Sequence, residues 1–535
     1  MLRLAACVSL AGCTSPRQYW ANHCKVGPEY CTPCVEVAPD WIDADDKRVL
    51  HDPAELAAWW TTFNDPVLNN LIAEAYSQNL TLREAGARVL EARRLRAIAV
   101  GQYFPQQQSL SGSYSYNKST GTGPGSRFSN WSDSFSLAWE LDFWGRYRRA
   151  ITAADADLDA SIYDYGDVAV TLIADVAATY VDIRTTQARL ELVRRNVDNQ
   201  QRTYDIVEAR FEEQDVSQID VQQAKSSVAQ TQSFVPQLES ALRLSQNQLC
   251  VLLGVPPEDL TELLGKGEIP DVPQQIAVGI PAQTLLRRPD VRRAERQLAA
   301  QSELIGIAES DLYPHITLSG NAGVSSRRID QLFTEGAFFA SIGPSFRWDL
   351  LNYGRIVNNV GVQEARFLQL LAAYRQSVLL ANLEAENAIN LFLRSQERLD
   401  FQLQAAKAAD ETNQLILFSL EEGQVDYNRV FNVQNFKTQQ EESAAVAKGQ
   451  VAQNLIEIYR SLGGGWPMRP SSAVTTTGSL DADDTGEQDS DAEPLPVPDN
   501  NPLDADASEL ELPDSVDIRL LPRDADAPLV YPSEL

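Results

Sequence analysis

The chain repeats itself at a constant interval, and this restricts its possible folds more than any other feature. Trp139-Glu140-Leu141-Asp142-Phe143-Trp144-Gly145-Arg146 and Trp348-Asp349-Leu350-Leu351-Asn352-Tyr353-Gly354-Arg355 lie 209 residues apart. The same offset carries Ala85 to Ala294, Pro105 to Pro314, Tyr165 to Tyr374, Glu212-Glu213 to Glu421-Glu422, and Leu253-Gly254 to Leu462-Gly463. A single match is chance, whereas one offset held over most of 65–465 means two copies of one structural unit. The expected division is a first repeat over 53–254, a proline-rich crossover over 255–281 and a second repeat over 282–466.

Each copy reads as a helix, two strands and two further helices. Strands are expected at about 107–118 and 130–142, and again at about 315–325 and 338–350. Leu110, Tyr114 and Tyr116 alternate with serines, and Trp131, Phe135, Leu137, Trp139 and Leu141 oppose Ser132, Ser134, Ser136, Glu140 and Asp142. In the second copy Ile316, Leu318, Ala322 and Val324 oppose His315, Thr317, Ser319 and Asn321, and Phe338, Ile342 and Phe346 oppose Ser341, Ser345 and Arg347. Strands of about ten residues with one apolar face, one polar face and aromatics near their ends suit a membrane barrel. Four strands cannot close one, and lipid tolerates no open sheet edge, so chains must combine, three of them giving twelve strands.

The helices are unusually long. From Gly145 to about Arg210 there is no proline and only one glycine, Gly166, and the second copy repeats this from Gly354 to about Leu420 with Gly361. About 65 residues at 1.5 Å each make a rod of about 100 Å. Return helices are expected from about Val216 to Leu253 and from about Val425 to Leu462, as antiparallel partners. The fold class is therefore mostly α with a membrane β-barrel part.

Outside the repeats the chain changes character. Residues 471–535 carry 17 Asp and Glu against two Arg, so −15 of the net −29 lies there, and this proline- and alanine-rich tail (467–535) reads as disordered. Residues 14–52 read as an extended segment. Leu10-Ala11-Gly12-Cys13 resembles a bacterial lipobox, which implies a signal peptide over 1–13 and a covalent lipid on Cys13. No run of 18 apolar residues exists to form a transmembrane helix.

Several functions are disfavoured. An acidic chain offers no surface for nucleic acid. With three histidines and no nucleophile elbow, H-E-x-x-H or nucleotide-binding loop, it does not read as an enzyme, and neither cofactor nor metal is expected. Cys31-Thr32-Pro33-Cys34, with Cys24 nearby, is the one constellation of thiols, and a disulfide is the favoured reading over a metal site.

Val26-Gly27-Pro28-Glu29-Tyr30, Trp59-Trp60-Thr61-Thr62-Phe63-Asn64-Asp65-Pro66, Arg288-Pro289-Asp290-Val291 and Leu462-Gly463-Gly464-Gly465-Trp466 together resemble the outer-membrane efflux proteins of the TolC and OprM type, over about 24–466. The resemblance implies a homotrimer with a 12-stranded barrel in outer-membrane lipid and a periplasmic α-barrel. It also implies docking to a periplasmic adaptor and an inner-membrane resistance-nodulation-division (RND) transporter. Such a duct is passive, shut at its periplasmic mouth by contacts at the helix tips, where the family has an acidic ring. The matching residues here are Asp426, Arg429 and Asn432, with Asp215 and Asp220 on the first copy's tip, and Asn432 stands where the family's aspartate is matched. The exit duct of a type I protein secretion system keeps the same fold as an alternative, and a non-conducting envelope lipoprotein is an alternative of another class.

Overall fold

The computed structural model describes residues 16–466, apart from 36, 51–55, 119–126, 280, 282–284 and 423. Cys13 and the acidic tail lie outside the described residues. The principal elements in chain order are α1 (Pro66–Gln78), α2 (Leu80–Gly101), β1 (Gln107–Lys118), β2 (Arg127–Leu141), α3 (Arg146–Glu212) and α4 (Gln218–Leu253). There follow α5 (Pro289–Ser310), β3 (His315–Ser326), β4 (Phe338–Arg347), α6 (Arg355–Glu421) and α7 (Tyr427–Ser461). The offset of 209 relates both ends of α3 to those of α6, each helix being 67 residues, and both ends of α2 to those of α5, each being 22. Each long helix therefore spans about 100 Å.

Local chemistry explains where these elements begin. Asp65 caps α1 by accepting from the Val67 and Leu68 amides at 2.9 and 3.3 Å, with Pro66 in the first turn where its missing N–H costs nothing. Both long helices open on a glycine in the left-handed region, Gly145 at φ 81° and Gly354 at φ 82°. A side chain there is strained, which gives the repeated Gly-Arg pair a backbone reason. Two strand limits depart from the sequence reading. β2 starts at Arg127 rather than near 130, and β4 closes at Arg347 rather than near 350. Trp348 leaves the ladder to donate its indole N–H to the Leu312 carbonyl at 2.9 Å, and the Leu350 amide bonds back to the Trp348 carbonyl at 3.0 Å, turning the chain toward α6.

The strands form one antiparallel meander in the order β1-β2-β3-β4. Its register keeps like faces together across all four strands: Leu110 opposes Phe135, Phe135 opposes Ala322, and Ala322 opposes Ala340, while Ser111 opposes Ser134 and Asn321 opposes Ser341. A slip of one residue would exchange the faces. Among the described residues neither face is buried under other protein: every residue of β1 is exposed, so are Phe338, Ile342 and Phe346 of β4, and no residue of β2, β3 or β4 is fully buried. The hairpins therefore do not lie over a soluble core.

The interior lies among the helices. Trp59 stacks on Tyr459 with ring centroids 5.1 Å apart, the Gly465 amide donates to the Leu56 carbonyl at 2.7 Å, and Trp466 covers Gly166 so closely that a β-carbon there would fall 2.8 Å from the indole. Arg288 donates to the Ser461 carbonyl at 2.6 Å and pairs with Asp290 and Glu384. Residues 22–50 form a strap. The Val26 amide donates to the Trp144 carbonyl at 3.0 Å, and Arg148 donates to the carbonyls of His23 and Cys24 at 2.7 and 2.8 Å. Buried Arg149 holds the Val26 carbonyl at 2.6 Å and Glu303 at 2.7 Å. Gly27 permits this approach, since a β-carbon on it would fall 2.6 Å from the Gly306 α-carbon. Farther on, Tyr30 and Thr32 donate to the Glu295 carboxylate at 2.7 and 3.1 Å, and Val49–Leu50 pairs in parallel with Ile276–Ala277.

Two outcomes are expected. Arg149→Ala strands Glu303 as a buried unpaired charge, a loss of about 3–5 kcal/mol; an unchanged thermal midpoint of the purified protein would contradict the role given to this pair. Burial would raise the Glu295 pKa, but hydrogen bonds from Arg296, Tyr30 and Thr32 to the carboxylate outweigh it and hold the pKa below the usual value. A depressed carboxylate contributes stability that is complete above the unfolded value of about 4.3 and is lost as pH falls through the folded one. Protease resistance of the strap should therefore decline below about pH 4.3 more steeply in the native chain than in Glu295→Gln; parallel profiles would refute this.

Candidate functional site

Two regions of the protomer are built for contact: its flanks and its helix tips. Along the helical part α2 packs on α3, α3 on α5 and α5 on α6, while lower down α4 packs on α3, α3 on α7 and α7 on α6. This places α2 and α4 on one flank and α6 on the other. The open edge of β1 follows α2 in the chain, and the open edge of β4 precedes α6. Both flanks carry uncovered apolar side chains, Leu90, Leu95 and Ile98 on α2 and Leu368, Leu379, Leu383, Leu391, Phe401 and Leu415 on α6. Unpaired strand backbone and bare apolar helix surface thus coincide on each side. Water-soluble monomers rarely expose so much apolar surface.

The tips join the two repeats at the far end of the rods. Asp220, expected from the sequence at the mouth, serves its own helix: its carboxylate accepts from the Ser217 amide at 3.0 Å and from the Ser217 hydroxyl at 2.8 Å, and the Asp220 amide donates back to that hydroxyl. This is a capping box. Asp215 is exposed beside Gln214, whose φ of 65° lies in the left-handed region where the other repeat has Gly423. Asp426 is the N-cap of α7 without a side-chain cap bond, and among the described residues it makes no ion pair with Arg429, although both are exposed. Arg429 and Asn432 lie together on a groove of about 300 Å³ between α6 and α7, lined also by Ala408, Thr412 and Phe436.

The contacts that hold one tip to the other involve residues the sequence reading passed over. Tyr427 is buried against Val207, Val221 and Ala224 of the first repeat, and burial, with the nearby Asp220 charge, pushes its pKa up to about 12. Arg210 of α3 donates to the Leu420 carbonyl of α6, and Gln434 donates to the Thr203 hydroxyl at 2.8 Å. The first-turn aromatic of α7 was a visible signal; its partners some 200 residues away were not.

The remaining expected positions are less engaged. Cys24, Cys31 and Cys34 are free thiols, the last two exposed, and no disulfide joins them. Among the described residues no group of three or more His, Cys, Asp or Glu side chains is arranged to hold a metal ion. No described helix is long and apolar enough to cross a membrane. His315 faces Glu140 at 2.7 Å on the polar face where the strands begin.

The described residues thus form an amphipathic sheet open at both edges, joined to paired helices about 100 Å long. The sequence pattern of the family described as outer membrane efflux protein matches twice, at residues 71–255 and 280–464, again 209 residues apart. Nodulation protein T of Rhizobium leguminosarum bv. viciae is 30% identical over 451 residues, spanning 83% of this chain and 91% of the relative. The pyoverdine export outer membrane protein OpmQ of Pseudomonas aeruginosa is 27% identical, over 78% of this chain and 89% of its own. The solved structure of the outer-membrane channel OprN superposes with a TM-score of 0.78 at 32% identity, covering 82% of this chain and 99% of that one. The chain belongs to the outer membrane efflux protein family. Its place is the cell outer membrane and its role is that of an efflux channel component.

The tip geometry yields one direct expectation. Gln214→Gly removes a side chain from a left-handed position and should raise stability by about 1 kcal/mol; a lowered unfolding midpoint would show that the Gln214 side chain is needed there.

Proposed function

We propose that three copies of this chain form a passive exit duct, with β1 of each copy paired to β4 of the next. Three sheets of four strands give a wall of twelve. The apolar face then meets lipid, the serine-rich face lines a water-filled lumen, and α2 and α4 of one copy cover α6 of its neighbour into a periplasmic tunnel. The observation that carries this reading is the coincidence of open strand edge and bare apolar helix on each flank, because one neighbour relieves both at once.

The duct operates as the outermost part of a tripartite pump, with a periplasmic adaptor and an inner-membrane RND transporter supplying the energy. A lipid on Cys13 tethers the N-terminus to the membrane. Relatives are named for pyoverdine export, toluene efflux and cation efflux. Such unlike cargoes on one architecture support the reading that the pump chooses the cargo and that the duct serves small molecules generally.

Closure is assigned to the tips, where Tyr427 and Arg210 hold the two helical pairs together and where Asp215, Asp426, Arg429 and Asn432 face the adaptor. The purified protein should run as a heat-sensitive trimer in detergent gels and form mostly closed channels in planar bilayers. Tyr427→Ala combined with Arg210→Ala should raise the open fraction several-fold without changing the conductance of the open state. A monomer that never conducts would defeat the duct; a double variant gating like the parent would defeat the tip assignment alone.

A further inference from the structure

The end of the sheet away from the helices carries a charge arrangement that the duct itself does not require. Lys118 and Arg127 are directly paired across β1 and β2. Their strand parity puts both on the apolar face, in line with Tyr116, Tyr114 and Trp131. Like charges directly opposed in a sheet repel and destabilise the pair unless something neutralises them. Among the described residues neither side chain has an ion-pair partner, and both are exposed.

The sequence around them removes the carboxylates that normally do this. In a chain with 74 Asp and Glu, none occurs from 92 to 132, a stretch that includes the whole connection between the two strands. Asp133 is the nearest carboxylate on that face, six residues along β2 and so about 20 Å away. On the neighbouring connection Asp330 is taken by Arg328 at 2.7 Å. Arg327 adds a third cation at the same end, 5.4 Å from the ring centre of Phe128.

Position identifies what is missing. Tyr114 and Trp131 pack with ring centroids 4.4 Å apart, the kind of aromatic pair that settles at the boundary between hydrocarbon and headgroups. Lys118 lies two residues beyond Tyr116, about 7 Å farther from the apolar band. Two adjacent cations beyond the aromatic pair, on the face the proposed barrel turns to lipid and without an ion-pair partner among the described residues, match the phosphates of a lipid in the outer leaflet. We propose that Lys118 and Arg127 form a clamp for phosphate-bearing lipid headgroups at the outer rim of the barrel. This rests on the barrel reading above.

The test uses full-length protein in neutral detergent and measures its affinity for lipid A carrying both phosphates, for dephosphorylated lipid A and for inorganic phosphate. Lys118→Gln with Arg127→Gln should weaken binding of the phosphorylated lipid about 25-fold, two steps of about 5-fold each. Lys118→Arg should retain it, and the native chain should bind the dephosphorylated lipid no better than the double variant does. Equal affinity in native and double-variant proteins would overturn the clamp. So would inorganic phosphate displacing the lipid at matched concentration, which would make the site one for a free anion. Trimer formation and conductance in phosphatidylcholine bilayers are measured in parallel and should be the same in both proteins. Failure of the native chain to assemble or insert there would remove the barrel and the clamp with it, whereas normal insertion with unchanged lipid affinity would remove the clamp alone.

Discussion

Peptide N–H and C=O groups that face hydrocarbon must find partners, and this requirement governs the rest of the molecule. Each unsatisfied group in lipid costs several kcal/mol. A four-stranded sheet with both faces uncovered leaves two rows of such groups, one on β1 and one on β4. In the proposed duct, the apolar stripe, the coherent register and the bare flanks of α2 and α6 all follow from one copy's backbone being completed by its neighbours.

The helical part answers a different demand, that of reach. Two 67-residue helices without proline extend about 100 Å from the sheet, and their return partners α4 and α7 double them into stiff pairs. Stiffness alone would leave the repeats free to part at their far ends. Tyr427 and Arg210 bridge them there, while the strap and the Trp59, Arg288 and Trp466 contacts lock them nearer the sheet.

Much of this was legible in the residues because it is periodic. The offset of 209 reproduces both limits of α3 and α6, and strand parity separates the sheet's faces, since both depend only on spacing along the chain. The motifs that carried the family resemblance prove to be packing joints: Gly27 admits Gly306, Trp59 meets the Gly464-Gly465 turn, and Arg288 ties α5 to the end of α7. What stayed hidden depends on contacts between distant segments or on a local signal left unread. Ser217-x-x-Asp220 spells a capping box, a local signal that stands beside the expectation of Asp220 at the helix tip. Tyr427 looked like any aromatic at a helix start, and only the folded chain shows that it inserts between α3 and α4 of the other repeat. Cys24, Cys31 and Cys34 invited a disulfide, and in the structure all three are free thiols.

Amide hydrogen exchange on the full-length protein in detergent addresses the shared wall most directly. If β1 of one copy completes β4 of the next, the edge amides of both strands will be protected as strongly as those of β2 and β3. Rapid exchange along β1 and β4, with the two inner strands protected, would mean that the sheet ends at its own edges and that no common wall exists.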